Sequence, residues 1–211
     1  MKKCQTLFLF VSIVFTASKL FAQAPALTTY KFQFQNELKA WVNSFPKFLL
    51  KDFKFDRMYG FADTKQDSSG LQALYSIYKP ALTFSPDRNQ FIDIYSSCLD
   101  LEKEGKRIVS YGYEVDQQID LWDLKKNSRM RISFFGSTEL IQEAVWINDS
   151  MFIMTGVIWF DSHKANPVIY IGNTNTRKFI EYKCTNTNCI QSKRGFNSPK
   201  LVRMRIIKKY I

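Results

Sequence analysis

Ala81-Leu-Thr-Phe84, a turn, Phe91-Ile-Asp-Ile-Tyr95, a loop, Gln118-Ile-Asp-Leu-Trp-Asp-Leu124, a turn and Arg129-Met-Arg-Ile132 form one run, and a second run follows in the same order. The second is Ala144-Val-Trp-Ile147, Met151-Phe-Ile-Met-Thr155, Val168-Ile-Tyr-Ile-Gly172 and Lys178-Phe-Ile-Glu-Tyr182. Each reads strand, tight turn, strand, longer loop, strand, tight turn, strand. Short apolar, β-branched and aromatic segments joined by turn residues pair as antiparallel neighbours, and their repetition predicts two four-stranded sheets, over residues 81–135 and 144–183.

Outward from the repeat, the same period-two pattern predicts strands at 53–59, 73–78, 107–113 and 201–207. The turn signals are Ser85-Pro86-Asp87-Arg88-Asn89, Lys126-Asn127-Ser128, Asn148-Asp149-Ser150 and Gly172-Asn173-Thr174-Asn175. Residues 30–45 read differently. Phe34, Leu38, Trp41, Val42 and Phe45 fall on one helical stripe, with Thr28 or Thr29 to cap its start and Pro46 to end it. The expected fold is therefore mainly β, built of antiparallel four-stranded repeat sheets with one N-terminal helix covering them.

The repeat resembles the WD-type propeller family. Phe84-Ser-Pro-Asp87 after the first strand and Leu121-Trp-Asp-Leu124 ending the third look like blade signatures of that family, and Trp146-Ile-Asn-Asp149 echoes the first. The family's Gly-His element is absent, and Ser97 to Glu114 is a long insertion. The chain is also similar to secreted bacterial proteins with half-propeller repeats. The resemblance implies propeller-like sheets and no particular activity. Two units and four further strands fall short of the roughly four blades a closed ring needs, so an open propeller or a sandwich is expected.

The first 22 residues carry an address. Lys2 and Lys3, the apolar run Leu7 to Ala17 and the exit Leu20-Phe21-Ala22 have the three-part pattern of a secretory signal peptide, with cleavage expected after Ala22. The apolar run is too short to span a bilayer, and no transmembrane segment is expected in the mature chain, a single β-rich domain over residues 23–211. Export makes the protein periplasmic or secreted and disfavours nucleic acid as a partner. The formal net charge of +11 drops to +8 without Lys2, Lys3 and Lys19, and the last 21 residues supply seven basic groups and no acidic one. The body of the domain is nearly neutral.

That basic end is the candidate binding region. A strand over 201–207 would bury Val202, Met204 and Ile206 and display Arg203 and Arg205, with Lys208 and Lys209 just beyond. Such a stripe suits an acidic protein, an anionic envelope component or an acidic glycan, or else it protects a sheet edge from aggregation. In an oxidising compartment Cys184 and Cys189 are spaced to close a small disulfide loop, or they flank it as free thiols.

Catalytic readings are thinner. Glu114, Asp116, Asp120 and Asp123 cluster around one strand, but Asp120 and Asp123 differ by three positions and so face opposite ways. Asp120 is expected to pair with a basic neighbouring strand and Asp123 to cap a turn. The one histidine, in Asp161-Ser-His163, lacks a nucleophile elbow, and Cys98 has no motif around it. Neither a G-x-G-x-x-G nor a P-loop is present, and the sequence implies no cofactor and no metal. The expectation is an exported, non-enzymatic binding or interaction protein; the alternative is a secreted carbohydrate-active or other hydrolase using Asp or Glu carboxylates.

Overall fold

The structure, a computed structural model, describes residues 24–161 and 164–209. Residues 1–22, expected to be a signal peptide, and His163 lie outside the described residues. In chain order, helices α1 (Lys31–Gln35) and α2 (Lys39–Val42) precede strands β1 (Phe53–Gly60) and β2 (Thr64–Gln66). Helix α3 (Leu71–Tyr78) leads into β3 (Thr83–Phe84), β4 (Gln90–Asp93), β5 (Leu99–Glu104), β6 (Arg107–Tyr113), β7 (Gln117–Asp123) and β8 (Ser128–Phe135). Strands β9 (Glu139–Trp146), β10 (Met151–Asp161), β11 (Lys164–Asn173) and β12 (Lys178–Cys184) follow, then helix α4 (Pro199–Met204) and β13 (Ile207–Lys208).

Two five-stranded antiparallel sheets result, ordered β2-β8-β7-β4-β3 and β1-β12-β11-β10-β9. Each contains the four strands of one repeat as a meander, and each is extended at its last strand by a strand from residues 53–66. The insertion between β4 and β7 folds back as the hairpin β5–β6, which joins β13 in a three-stranded sheet. Among the described residues no sheet closes on itself.

The second repeat's sheet is the central layer. Phe152, Met154, Val168 and Tyr170 point to the core shared with the first repeat, while Ile153, Val157, Ile169 and Ile171 point to a core under the N-terminal helices. Both faces are buried, which is why β10 and β11 read as nearly continuous apolar runs rather than an alternation. Packing there is tight. Gly172 is required because a Cβ would lie 2.1 Å from the Phe152 ring. The first strands of the two repeats meet, with Trp146 Nε1 donating to Thr83 O at 2.8 Å.

Three elements differ from the sequence reading. The helix expected over 30–45 is broken between Gln35 and Lys39. Asn36 Nδ2 donates to Phe32 O at 2.8 Å, and Leu38 N reaches back to Gln33 O at 2.8 Å, a five-residue step. An asparagine that takes a backbone carbonyl with its own side chain competes with helix continuation. The stripe survives the break, with Phe34, Leu38, Trp41 and Phe45 buried.

Residues 73–78 are helix α3 rather than a strand. Leu71, Leu74 and Tyr75 pack at helical spacing against the inter-sheet core, and an apolar run this short does not distinguish the two periods. The expected strand 201–207 is also a helix over most of its length. Ser198 caps α4 by accepting from Lys200 N at 3.3 Å, Pro199 occupies its first turn, and Arg205 ends it in the left-handed conformation at φ 52°. Only Ile207 and Lys208 are extended, pairing parallel with β6.

Candidate binding sites around the C-terminal helix

The change from strand to helix separates the basic residues. Arg203 projects from α4 onto a groove between the first strands of the two repeats, lined also by Thr83, Glu143, Trp146 and Glu37. Arg205 and Lys208 instead line a cleft of about 260 Å³ between α4 and the hairpin β5–β6. Lys209 is neutralised: its Nζ lies 2.5 Å from Glu104 Oε1 and over the Tyr111 ring, whose hydroxyl donates to the same oxygen at 2.6 Å. The ammonium of Lys209 and the hydroxyl of Tyr111 hold the Glu104 carboxyl below its ordinary range. The expected single stripe of Arg203, Arg205, Lys208 and Lys209 is thus resolved into two openings and one ion pair.

The cleft has an apolar floor, Leu99, Leu201 and Ile206; Asn197 is exposed beside it, and Ser110 and Ser198 are buried in its wall. Arg205 and Lys208 are exposed there and form no ion pair among the described residues. Their positions follow from the local chain. The left-handed turn at Arg205 reverses the direction after α4, and β13 lies against β6 through the pairs Ile207 with Val109 and Lys208 with Ser110.

Beneath α4 lies a buried polar cluster that no sequence pattern signals. Lys200 Nζ is 2.5 Å from Glu143 Oε1 and donates to Thr83 Oγ1 at 2.7 Å and Ala144 O at 2.8 Å. Ser198 Oγ donates to Glu143 Oε2 at 2.9 Å, and Ala144 N to Oε1 at 3.1 Å. Burial lowers the pKa of Lys200 and Glu143 opposes the shift. Every polar atom of the pair is satisfied, which suits a fastening across β3, β9 and α4. Glu37 lines the outer part of the same groove of about 490 Å³, and partial burial raises its carboxyl above the ordinary range.

The carboxylates singled out around β7 do not converge on a cavity. Asp120 is buried and accepts from Arg129 of the neighbouring strand β8 at 2.6 and 2.9 Å and from Gln118. Burial raises its carboxyl while Arg129 opposes the rise. Asp123 caps the turn by accepting from Lys126 N at 3.0 Å. Glu114 and Asp116 are exposed. Cys98 is buried, and burial pushes its thiol up to about 12, which leaves it protonated and unreactive at neutral pH. Cys184 and Cys189 are free thiols in contact with each other.

A second charged group also escaped the sequence reading. Glu181, nearly inaccessible on β12, accepts from Arg57 Nε at 2.7 Å and lies 3.2 Å from Lys183 Nζ. Tyr170 donates its hydroxyl to Glu139 nearby. These carboxylates balance charges inside a sheet. Among the described residues no group of three or more His, Cys, Asp or Glu is placed to hold a metal ion. No helix of the described residues is long and apolar enough to cross a membrane. No family model, curated protein or solved structure matches the chain.

Proposed function

We propose that this is an exported, non-enzymatic binding protein of the cell envelope, which takes an anionic group of a glycan or protein partner in the cleft between α4 and β5–β6. Arg205 and Lys208 carry the reading. Two exposed cations without an ion-pair partner among the described residues share one concave site with the exposed amide of Asn197, an arrangement that suits carboxylate or sulfate oxygens. The signal-like residues 1–22 support export. The two meanders, with their first strands facing, support a reading as propeller-like blades in an open arrangement, a scaffold that presents loops and edges to partners.

The test is titration of the purified protein with an oligogalacturonate at low and moderate salt. Exchanging Arg205 and Lys208 together for serine is expected to weaken binding at least tenfold and to flatten its salt dependence. Unchanged binding in that variant ends the proposal.

A hydrolase reading has one observation in its favour: Glu37 and Glu143 line the same groove as Trp146 and Arg203. Against it, Glu143 has both oxygens engaged. Glu37→Gln leaves the buried cluster intact, so glycan cleavage by the wild-type protein that disappears in this variant, at unchanged stability, would make the groove an active site.

A further inference from the structure

A large apolar opening lies elsewhere, on the face of the central sheet that the N-terminal helices cover incompletely. Along β1, Phe53, Phe55 and Met58 share this face, because an irregularity in pairing between Phe55 and Arg57 returns Met58 to the side of Phe53. Phe53 is buried in the core below the helices, whereas Phe55 is 50% and Met58 45% exposed. The opposite wall is residues Pro25 to Thr28, fastened by Tyr182, whose hydroxyl donates to Pro25 O at 2.5 Å. Between the walls is a groove of about 780 Å³, within the roughly 300–1,000 Å³ of small-molecule sites.

Its charge is one-sided. Among the described residues Lys51 and Lys54 are the charged groups lining it; both are exposed and neither forms an ion pair there, and Lys54 alternates to the far side of β1 from Phe53 and Phe55. The adjacent acid, Asp52, is engaged elsewhere and accepts from Asn186 Nδ2 at 2.8 Å. Asp56 likewise pairs with Lys183 at 2.8 Å. An apolar groove with an unpaired cation at its rim, Lys51, is complementary to an apolar chain ending in a single anion.

We propose that this groove binds a long-chain fatty acid as its carboxylate, the acyl chain lying on Phe53, Phe55 and Met58 and the carboxylate held by Lys51. The site is separate from the C-terminal cleft and does not depend on Arg205 or Lys208. A polypeptide strand would seek the free backbone edge of β1, but the apolar lining is on the side-chain face. A second copy of the chain would bring its own Lys51 against this one.

The experiment is titration of the purified protein with a fluorescent polyene fatty acid, followed by displacement with palmitate, myristate and laurate and with the alcohol matching palmitate. Affinity is expected to fall by about fourfold for each methylene removed, and the alcohol to bind more weakly than the acid. Lys51→Ser is expected to cost the acid about three- to tenfold and the alcohol nothing, and Lys54→Ser, on the opposite face of β1, to change neither. Phe55→Ser and Met58→Ser, at exposed positions that the fold tolerates, are expected to weaken both. Lack of saturable binding, indifference to chain length, or equal loss of acid and alcohol in the Lys51→Ser variant overturns the proposal. So does concentration-dependent dimerisation abolished by Phe55→Ser, which assigns the groove to a second copy.

Discussion

Lys200 on α4 reaches across to Glu143 on β9, with Nζ 2.5 Å from Oε1 and only 16% of the lysine side chain exposed. The pair joins the C-terminal helix to the second repeat, and the bond from Lys200 to Thr83 adds the first repeat to the same fastening. Replacing Lys200 by Met leaves an uncompensated buried carboxylate and is expected to destabilise the protein by about 3–5 kcal/mol. Adding Glu143→Leu removes that charge and should recover most of the loss. Urea unfolding of the two variants checks this. A double variant no more stable than the single one would show that the cluster fastens α4 through its hydrogen bonds alone.

Glu139 sets a pH dependence. Burial raises its carboxyl above 4.5, against the hydrogen bond from Tyr170. In the unfolded chain the group titrates near its ordinary value, so between there and the raised folded value the native state binds more protons than the unfolded one. Stability from this group is full below that window and falls as pH rises through it. Glu139→Gln keeps an acceptor for Tyr170 and removes the charge. The variant is expected to lose less stability than the wild type across the mildly acidic range, measured as unfolding midpoints at successive pH values.

The four-strand succession within each repeat was legible because each repeat carries its own alternation and turn residues; that β1 and β2 extend the two sheets was not. Phe91 and Trp122, read as members of successive strands, stand opposite in the ladder, their rings stacked 5.5 Å apart. The hairpin β5–β6 was only half visible. Leu99 and Leu101 alternate with charged residues before Gly105, a strand-and-turn signal that hides inside what reads as an insertion. Helices α3 and α4 were misread because six to eight residues are too few to separate the two periods, although Ser198-Pro199 is a helix start signal. Lys200 with Glu143, and the lining of the apolar groove, come from segments distant in the chain. Such convergence depends on tertiary packing and leaves no local pattern.

Tight packing in the central sheet yields a pair of contrasting variants. Alanine at Gly172 places a methyl against the Phe152 ring, and alanine at Gly156 places one 2.2 Å from the backbone oxygen of Leu140. Overpacking of this kind costs about 1–3 kcal/mol or more. A side chain can be trimmed, whereas a backbone carbonyl in a ladder cannot. Phe152→Leu is therefore expected to recover part of the loss in Gly172→Ala but none in Gly156→Ala. Thermal midpoints of the single and double variants decide it.

Cys184 and Cys189 are free but in contact, at the two ends of a polar loop whose Asn186 and Thr185 hydrogen-bond to Asp52. The loop is already ordered by those bonds and by Cys189 N donating to Asn186 O at 2.9 Å, so joining the sulfurs requires little rearrangement. Burial pushes the Cys189 thiol up to about 12, which makes the more accessible Cys184 the thiol that attacks an oxidant first. With oxidised glutathione, the Cys184 thiolate displaces one glutathione thiolate to give a mixed disulfide. Cys189 then displaces the second, so the protein loses two hydrogens and two glutathione thiols are released. Closing so short a loop is expected to stabilise the fold by about 2 kcal/mol in the chain-entropy model. In protein prepared without residues 1–22, which carry Cys4, alkylation under denaturing conditions should then label Cys98 alone, against three sites in the reduced form. Labelling of all three after oxidation, or retention of a glutathione adduct on Cys184, would show that the two sulfurs do not join.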